Sequence, residues 1–156
     1  MNTYGLQQSL MAEIPRILEG MELKDTKGNN AKIKGFEQQL PVLTEDEEEI
    51  SQFFPYFIVQ IVQGDVEDDD DWWHVEALIQ LGTYDDDKER NGHEALLSMI
   101  QKITDRFLEY PLLDNAYRAE QKMHWEILDE ETYPFYFGGI EMKFSVPKQG
   151  RSDDFV

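Results

Sequence analysis

Two acidic stretches, Asp65-Val66-Glu67-Asp68-Asp69-Asp70-Asp71 and Asp85-Asp86-Asp87 followed by Glu89, hold the residue types most suited to a site in this chain. Clustered carboxylates are the ligands of hard cations such as calcium. A calcium loop of the EF-hand type needs glycine at its sixth position, for the sharp turn, and a bidentate carboxylate at its twelfth. Counted from Asp65, the sixth residue is Asp70, although Glu76 falls at the twelfth; counted from Asp85, these positions hold Arg90 and Leu96. The spacing therefore predicts solvated hairpin tips rather than a metal site, and no cofactor is expected.

The remaining chemistry is thinner still. The chain has no cysteine, which excludes disulfides, thiolate zinc sites and cysteine nucleophiles. Its three histidines, His74, His93 and His124, are too dispersed for a known ligand or triad spacing. No serine stands in a Gly-x-Ser-x-Gly elbow and no glycine-rich loop precedes a helix with a phosphate-binding lysine. Catalysis is not expected.

The 156 residues fit one domain, large enough to bury roughly two thirds of its unfolded surface. With 33 acidic residues against 14 basic ones, the net charge of -19 opposes binding to phosphate backbones and anionic lipid. No apolar run approaches the ~20 residues of a membrane span, and the start of the chain lacks the pattern of a secretory signal. Together with the lack of cysteine, this leads to the expectation of a soluble protein of a reducing compartment.

The elements that would position these residues follow from periodicity. Leu6, Leu10, Ile14, Ile17 and Leu18 recur at helical spacing up to Gly20, with Pro15 expected to kink this helix and loosen its first half. A weak strand is expected at 31–36. Residues 53–63, apolar on both faces, predict a central strand, and 74–82 alternate with Val75, Ala77, Ile79 and Leu81 inward, so the two form a long hairpin with an acidic tip. Asn91 with Glu94 forms a capping signal for a helix whose stripe is Leu96, Ile100, Ile103 and Phe107, ending at Tyr110-Pro111. Alternation at 117–127 and 137–146 predicts two more strands, and 148–156 a loose tail. The expected fold class is α+β: an antiparallel, or mixed, sheet of about four to five strands with long hairpins and helices packed on one face.

Aromatic residues supply the candidate contacts. Trp72 and Trp73 begin a strand beside the acidic run, so they point to opposite faces, and Tyr133, Phe135, Tyr136 and Phe137 form a dense apolar cluster around Pro134. Exposed aromatic residues anchor interfaces. These six residues are the candidate subunit or partner contacts.

The succession Phe54-Pro55-Tyr56-Phe57-Ile58-Val59, Val75-Glu76-Ala77-Leu78-Ile79-Gln80-Leu81-Gly82-Thr83-Tyr84-Asp85-Asp86-Asp87, the Asn91-Gly92 helix start and Tyr133-Pro134-Phe135-Tyr136-Phe137-Gly138-Gly139 resembles the tail terminator, or head-tail joining, proteins of long-tailed bacteriophages and prophages. The likeness covers 53–147 and is one of strands and turns, with no catalytic signature. It implies a homo-oligomeric ring, usually hexameric, that ends growth of the tail tube and meets the head connector, in the cytoplasm of a bacterial host and then in the virion. The tube protein and the connector protein are the implied partners. Asp68, Asp69, Asp70, Asp71, Asp85, Asp86 and Asp87 are the candidate loop or lumen acids, since a negative lumen lets DNA pass without binding it. The density of the first acidic run departs from the family pattern, which leaves open which tip would face a channel.

A rival reading makes the chain an acidic inhibitor that imitates DNA. Such a mimic spreads carboxylates at phosphate-like intervals along exposed elements. Here they gather near 45–49, 65–71 and 85–89.

Overall fold

A computed structural model describes residues 2–43, 50–68, 71–89 and 92–148. Helix α1 spans Thr3–Ile17. Asn2 caps it, its side-chain Oδ1 accepting from the Gly5 amide at 2.7 Å, which moves the start ahead of Leu6. Leu6, Leu10 and Ile14 are fully buried, so the first half is anchored rather than loose. Pro15 sits in the last turn, where its missing amide costs one bond near the end, and the helix stops two residues later instead of kinking.

Helix α2 spans His93–Glu109 and buries Leu96, Met99, Ile100, Ile103 and Phe107 as one stripe. Gly92 occupies its cap position and Glu94 lies in its first turn; Asn91, the expected cap, lies outside the described residues. At the far end Tyr110 turns to extended backbone before Pro111, and the Arg106 guanidinium donates to the carbonyls of Tyr110 and Leu112.

The strands are β1 (Lys34–Glu37), β2 (Tyr56–Val66), β3 (Trp72–Tyr84), β4 (Leu112–Leu113), β5 (Tyr117–Ile127) and β6 (Phe135–Pro147). They form one sheet in the order β1-β2-β3-β6-β5-β4. It is α+β as expected, yet the sheet has six strands rather than four or five, and it is mixed, because β1 runs parallel to β2 while every other pair is antiparallel. The two extra features have local causes. Leu112–Leu113 form a two-residue strand where the chain doubles back, and β1 covers only the first four residues of β2. The last strand of the chain, β6, lies in the middle, between β3 and β5.

Both helices pack on one face of the sheet, α1 over β1 and β2 and α2 over β3, β5 and β6. That face carries Phe57 and Val59, Val75, Ala77, Ile79 and Leu81, and Ile140, Met142, Phe144 and Val146, all essentially inaccessible. Gln7 is the polar exception: buried in α1, it donates from Nε2 to the Gln38 side chain at 2.7 Å and to the Val59 carbonyl at 2.9 Å. On the opposite face Phe54, Tyr56 and Ile58 form a second, smaller apolar cluster with Phe36, Phe135 and Phe137. Strand β2 is therefore apolar on both faces because the 50–55 segment folds over it, not because it is the central strand. At Gly82 an added Cβ would collide with the Tyr56 ring, so this cluster closes only over a residue without a side chain.

Candidate functional site

The length of β3 decides the fate of the acidic loops. The first joins β2 to β3 and the second follows β3, whose 13 residues at about 3.3 Å each hold them roughly 40 Å apart. They cannot share a ligand. At the first tip Lys148 donates its Nζ to the Glu67 carbonyl at 2.8 Å and its amide to the Asp71 carbonyl at 3.0 Å, which ties the end of β6 to the turn. Asp69 and Asp70 lie outside the described residues, as do the 45–49 run and the tail from 149 onward.

In the second loop Asp85 Oδ1 accepts from the Asp87 amide at 2.9 Å, and Asp87 Oδ1 accepts from the Glu89 amide at 3.1 Å. These carboxylates shape the turn through Asx-type bonds. Among the described residues no three acidic or histidine side chains converge on a point that could hold a metal ion.

The six aromatic candidates divide into two sets. Trp72 faces Pro147 in register and Trp73 lies between Val66 and Val146, so their side chains take opposite faces. Each remains 40% exposed, and Val66, opposite Trp73, and Val62, further back along β2, are about half exposed. The end of the β2–β3 hairpin is thus an arm with apolar side chains on both faces and acids at its tip.

In the second set Phe135, Tyr136 and Phe137 turn inward, while Tyr133 stays 37% exposed. Phe135 and Phe137 stack against Phe54, with ring centroids 4.7 Å and 5.7 Å apart. Tyr136 points to the helix face, where its ring fills the space a Cβ at Gly92 would need. Tyr133 donates its hydroxyl to the Asp86 carbonyl at 2.6 Å, and the Asp85 amide donates to the Pro134 carbonyl at 2.9 Å. Desolvation, reinforced by Asp86, raises the Tyr133 phenol above its ordinary pKa, which keeps that donor protonated. The 133–137 segment therefore latches the loop after β3 to the start of β6 within one chain.

Trp125 escapes the sequence reading. Alternation puts it inward, and it does share a face with Ile140. It is nevertheless 48% exposed, because β5 lies beside the sheet's margin, next to a neighbour of only two residues. Beyond Ala119, β5 has no strand on its outer side among the described residues, and the same holds for β2 beyond Ile61, where Gln38 caps the edge by accepting from the Ile61 amide at 2.7 Å. Two open strand stretches thus lie on opposite margins of the sheet, at 62–66 and 120–127.

The histidines do not form one constellation. On the outer face His74 pairs with Glu120 at 3.0 Å and His124 with Glu126 at 2.9 Å, while His93 begins α2. The bond to Glu126, then the charges of Glu126 and Glu141, outweigh desolvation and raise the His124 pKa above 6.5. Gly139 contributes no side chain between Gln80 and Glu126, and a shallow groove of about 460 Å³ opens there beside His124, Glu141, Leu78 and Phe137.

No family of known proteins matches this chain, and no curated protein matches it by sequence.

Proposed function

We propose that this chain is a structural assembly protein of the tail-terminator kind, whose copies close into a ring, six in number, that caps the tail tube of a long-tailed bacteriophage or prophage and receives the head connector. The observation that carries the reading is the pair of open strand stretches, 62–66 and 120–127, on opposite margins of one sheet. They differ in sequence and flanking side chains, so contact between them is head-to-tail rather than self-complementary. Such a contact makes a closed ring when its rotation closes. Open strand edges invite pairing with a neighbour, and the exposed aromatic residues Trp72, Trp73 and Trp125 flank them.

The charge supports the same reading. A protomer at -19 gives a ring whose field repels DNA and leaves a lumen open to its passage. Assembly would take place in the host cytoplasm, and among the described residues no helix is long and apolar enough to cross a membrane. The DNA-mimic alternative asks for carboxylates at phosphate-like intervals along exposed elements; here the acids gather in short runs, and those at 65–68 and 85–89 stand at opposite ends of β3, which favours the ring.

Electron microscopy of the purified protein tests the proposal. Annular particles with a central hole are expected; open filaments or isolated protomers at every concentration would contradict it.

A further inference from the structure

The charge is uneven along this acidic chain, and two stretches are basic, 142–151 and 16–34. Residues 16–34 carry Arg16, Lys24, Lys27, Lys32 and Lys34 against Glu19, Glu22 and Asp25, a net charge of +2 in a chain of -19. Lys24, Lys27 and Lys32 are all exposed. This segment frames a pocket of about 370 Å³ beneath the end of α1, with Leu18, Met21, Leu23 and Ile33 as apolar walls and Arg16, Lys32 and Glu19 as its charged lining. The arm at the end of the β2–β3 hairpin has the opposite character. Between Gln60 and Val75 the sequence has six acids and no basic residue other than His74, although Lys148 reaches the tip to donate to the Glu67 carbonyl; Asp65 and Glu67 flank the exposed Val66.

We infer that the acidic arm of one copy docks in the pocket under α1 of the next, with Trp73 and Val66 against the apolar walls and Glu67 and Asp68 facing the exposed Lys24, Lys27 and Lys32. The inference rests on the ring reading and adds, to the strand-edge contact proposed above, a contact made by the arm's side chains. Two observations select a second copy as the occupant. The charges are complementary within one sequence, and apolar area is offered on both sides. The arm also cannot reach its own pocket: Ile33 directly precedes Lys34, which pairs with Tyr56 at the start of β2, whereas the arm lies at the end of β2, 11 residues or about 35 Å away. A contact between unlike surfaces at opposite ends of one strand is head-to-tail, as a ring requires.

Because the chain has no cysteine, the contact can be tested by single-cysteine variants of the full-length protein. Glu67→Cys and Lys32→Cys preparations are mixed and treated with a short bis-maleimide; a two-chain product is expected, in clear excess over that from Glu67→Cys mixed with Lys143→Cys. A Lys32 yield no greater than the Lys143 yield overturns the contact, whether or not rings are seen. Specific cross-linking without annular particles would instead overturn the closed ring and leave the contact standing. As a second measure, Lys24→Glu, Lys27→Glu and Lys32→Glu together should weaken association roughly tenfold or more, since the cations facing those carboxylates are lost. Lys88→Glu, Lys102→Glu and Lys143→Glu change the net charge equally and should do much less; equal loss in both triples refutes the local contact.

Discussion

Replacing Phe54 by alanine tests the division of the aromatic residues into those packed in a cluster within this chain and those left exposed at its surface. Phe54 is 1% exposed and its ring lies 5.0 Å from Tyr56, 4.7 Å from Phe135 and 5.7 Å from Phe137. Truncating a buried phenylalanine removes its transfer free energy and leaves a cavity, typically about 3–5 kcal/mol. The outer cluster is small and bounded by the 50–55 segment, which can settle inward, so the lower part of that range is expected. In a chain of this size each kcal/mol moves Tm by roughly 2–4 °C, which places the loss between about 6 and 12 °C. The assay is thermal unfolding followed by near-ultraviolet circular dichroism at the lowest practical protein concentration, so that association does not add to Tm. A loss below about 2 °C would refute the view that Phe54, Phe135 and Phe137 form an intramolecular cluster, and would return them to the set available for a partner.

Three further perturbations probe the turn before α2, the outer face and the acidic loops. Gly92→Ala drives a methyl into the Tyr136 ring without straining the backbone, since φ there is -60°; a cost of about 1–3 kcal/mol in urea unfolding is expected, and it should vanish in a Tyr136→Ala background. His124 should titrate by NMR above 6.5, and Glu126→Gln should lower its midpoint; because the folded pKa is raised, its contribution to stability is present below about 6.5 and fades as pH rises through the folded value, and an unchanged midpoint in the variant would refute the pairing. Calorimetric titration with calcium should give no saturable heat, as the two acidic loops stand at opposite ends of β3, and a stoichiometric isotherm would contradict their reading as hairpin tips.

Where one face of an element is buried, its type and limits could be read from the residues. The alternation of β5 matches Tyr117–Ile127 at both ends, and β6 extends the expected 137–146 by two residues at its start and one at its end. Strand order could not be read in this way: the place of β6 between β3 and β5 depends on pairings between residues far apart in sequence, and alternation is the same for any neighbour. Two-residue β4 is too short to have a period. Among the candidate contacts, the opposite orientation of Trp72 and Trp73 could be read because adjacent strand residues must take opposite faces. The inward turn of Phe135 to Phe137 could not, since apolar residues look alike whether they pack on their own chain or on another. Trp125 was hidden for the converse reason: its position has the parity of the core, and its exposure depends on what lies beside β5.

The central claim is a closed ring built from this single chain, and the most direct test is its absolute mass by light scattering behind a sizing column, over a wide range of protein concentration and at two salt concentrations. A mass near six times the 18.4 kDa protomer is expected, and it should hold better at the higher salt, where copies carrying -19 each are screened from one another. A mass of one protomer throughout, in both salts and at the highest concentration, would contradict it.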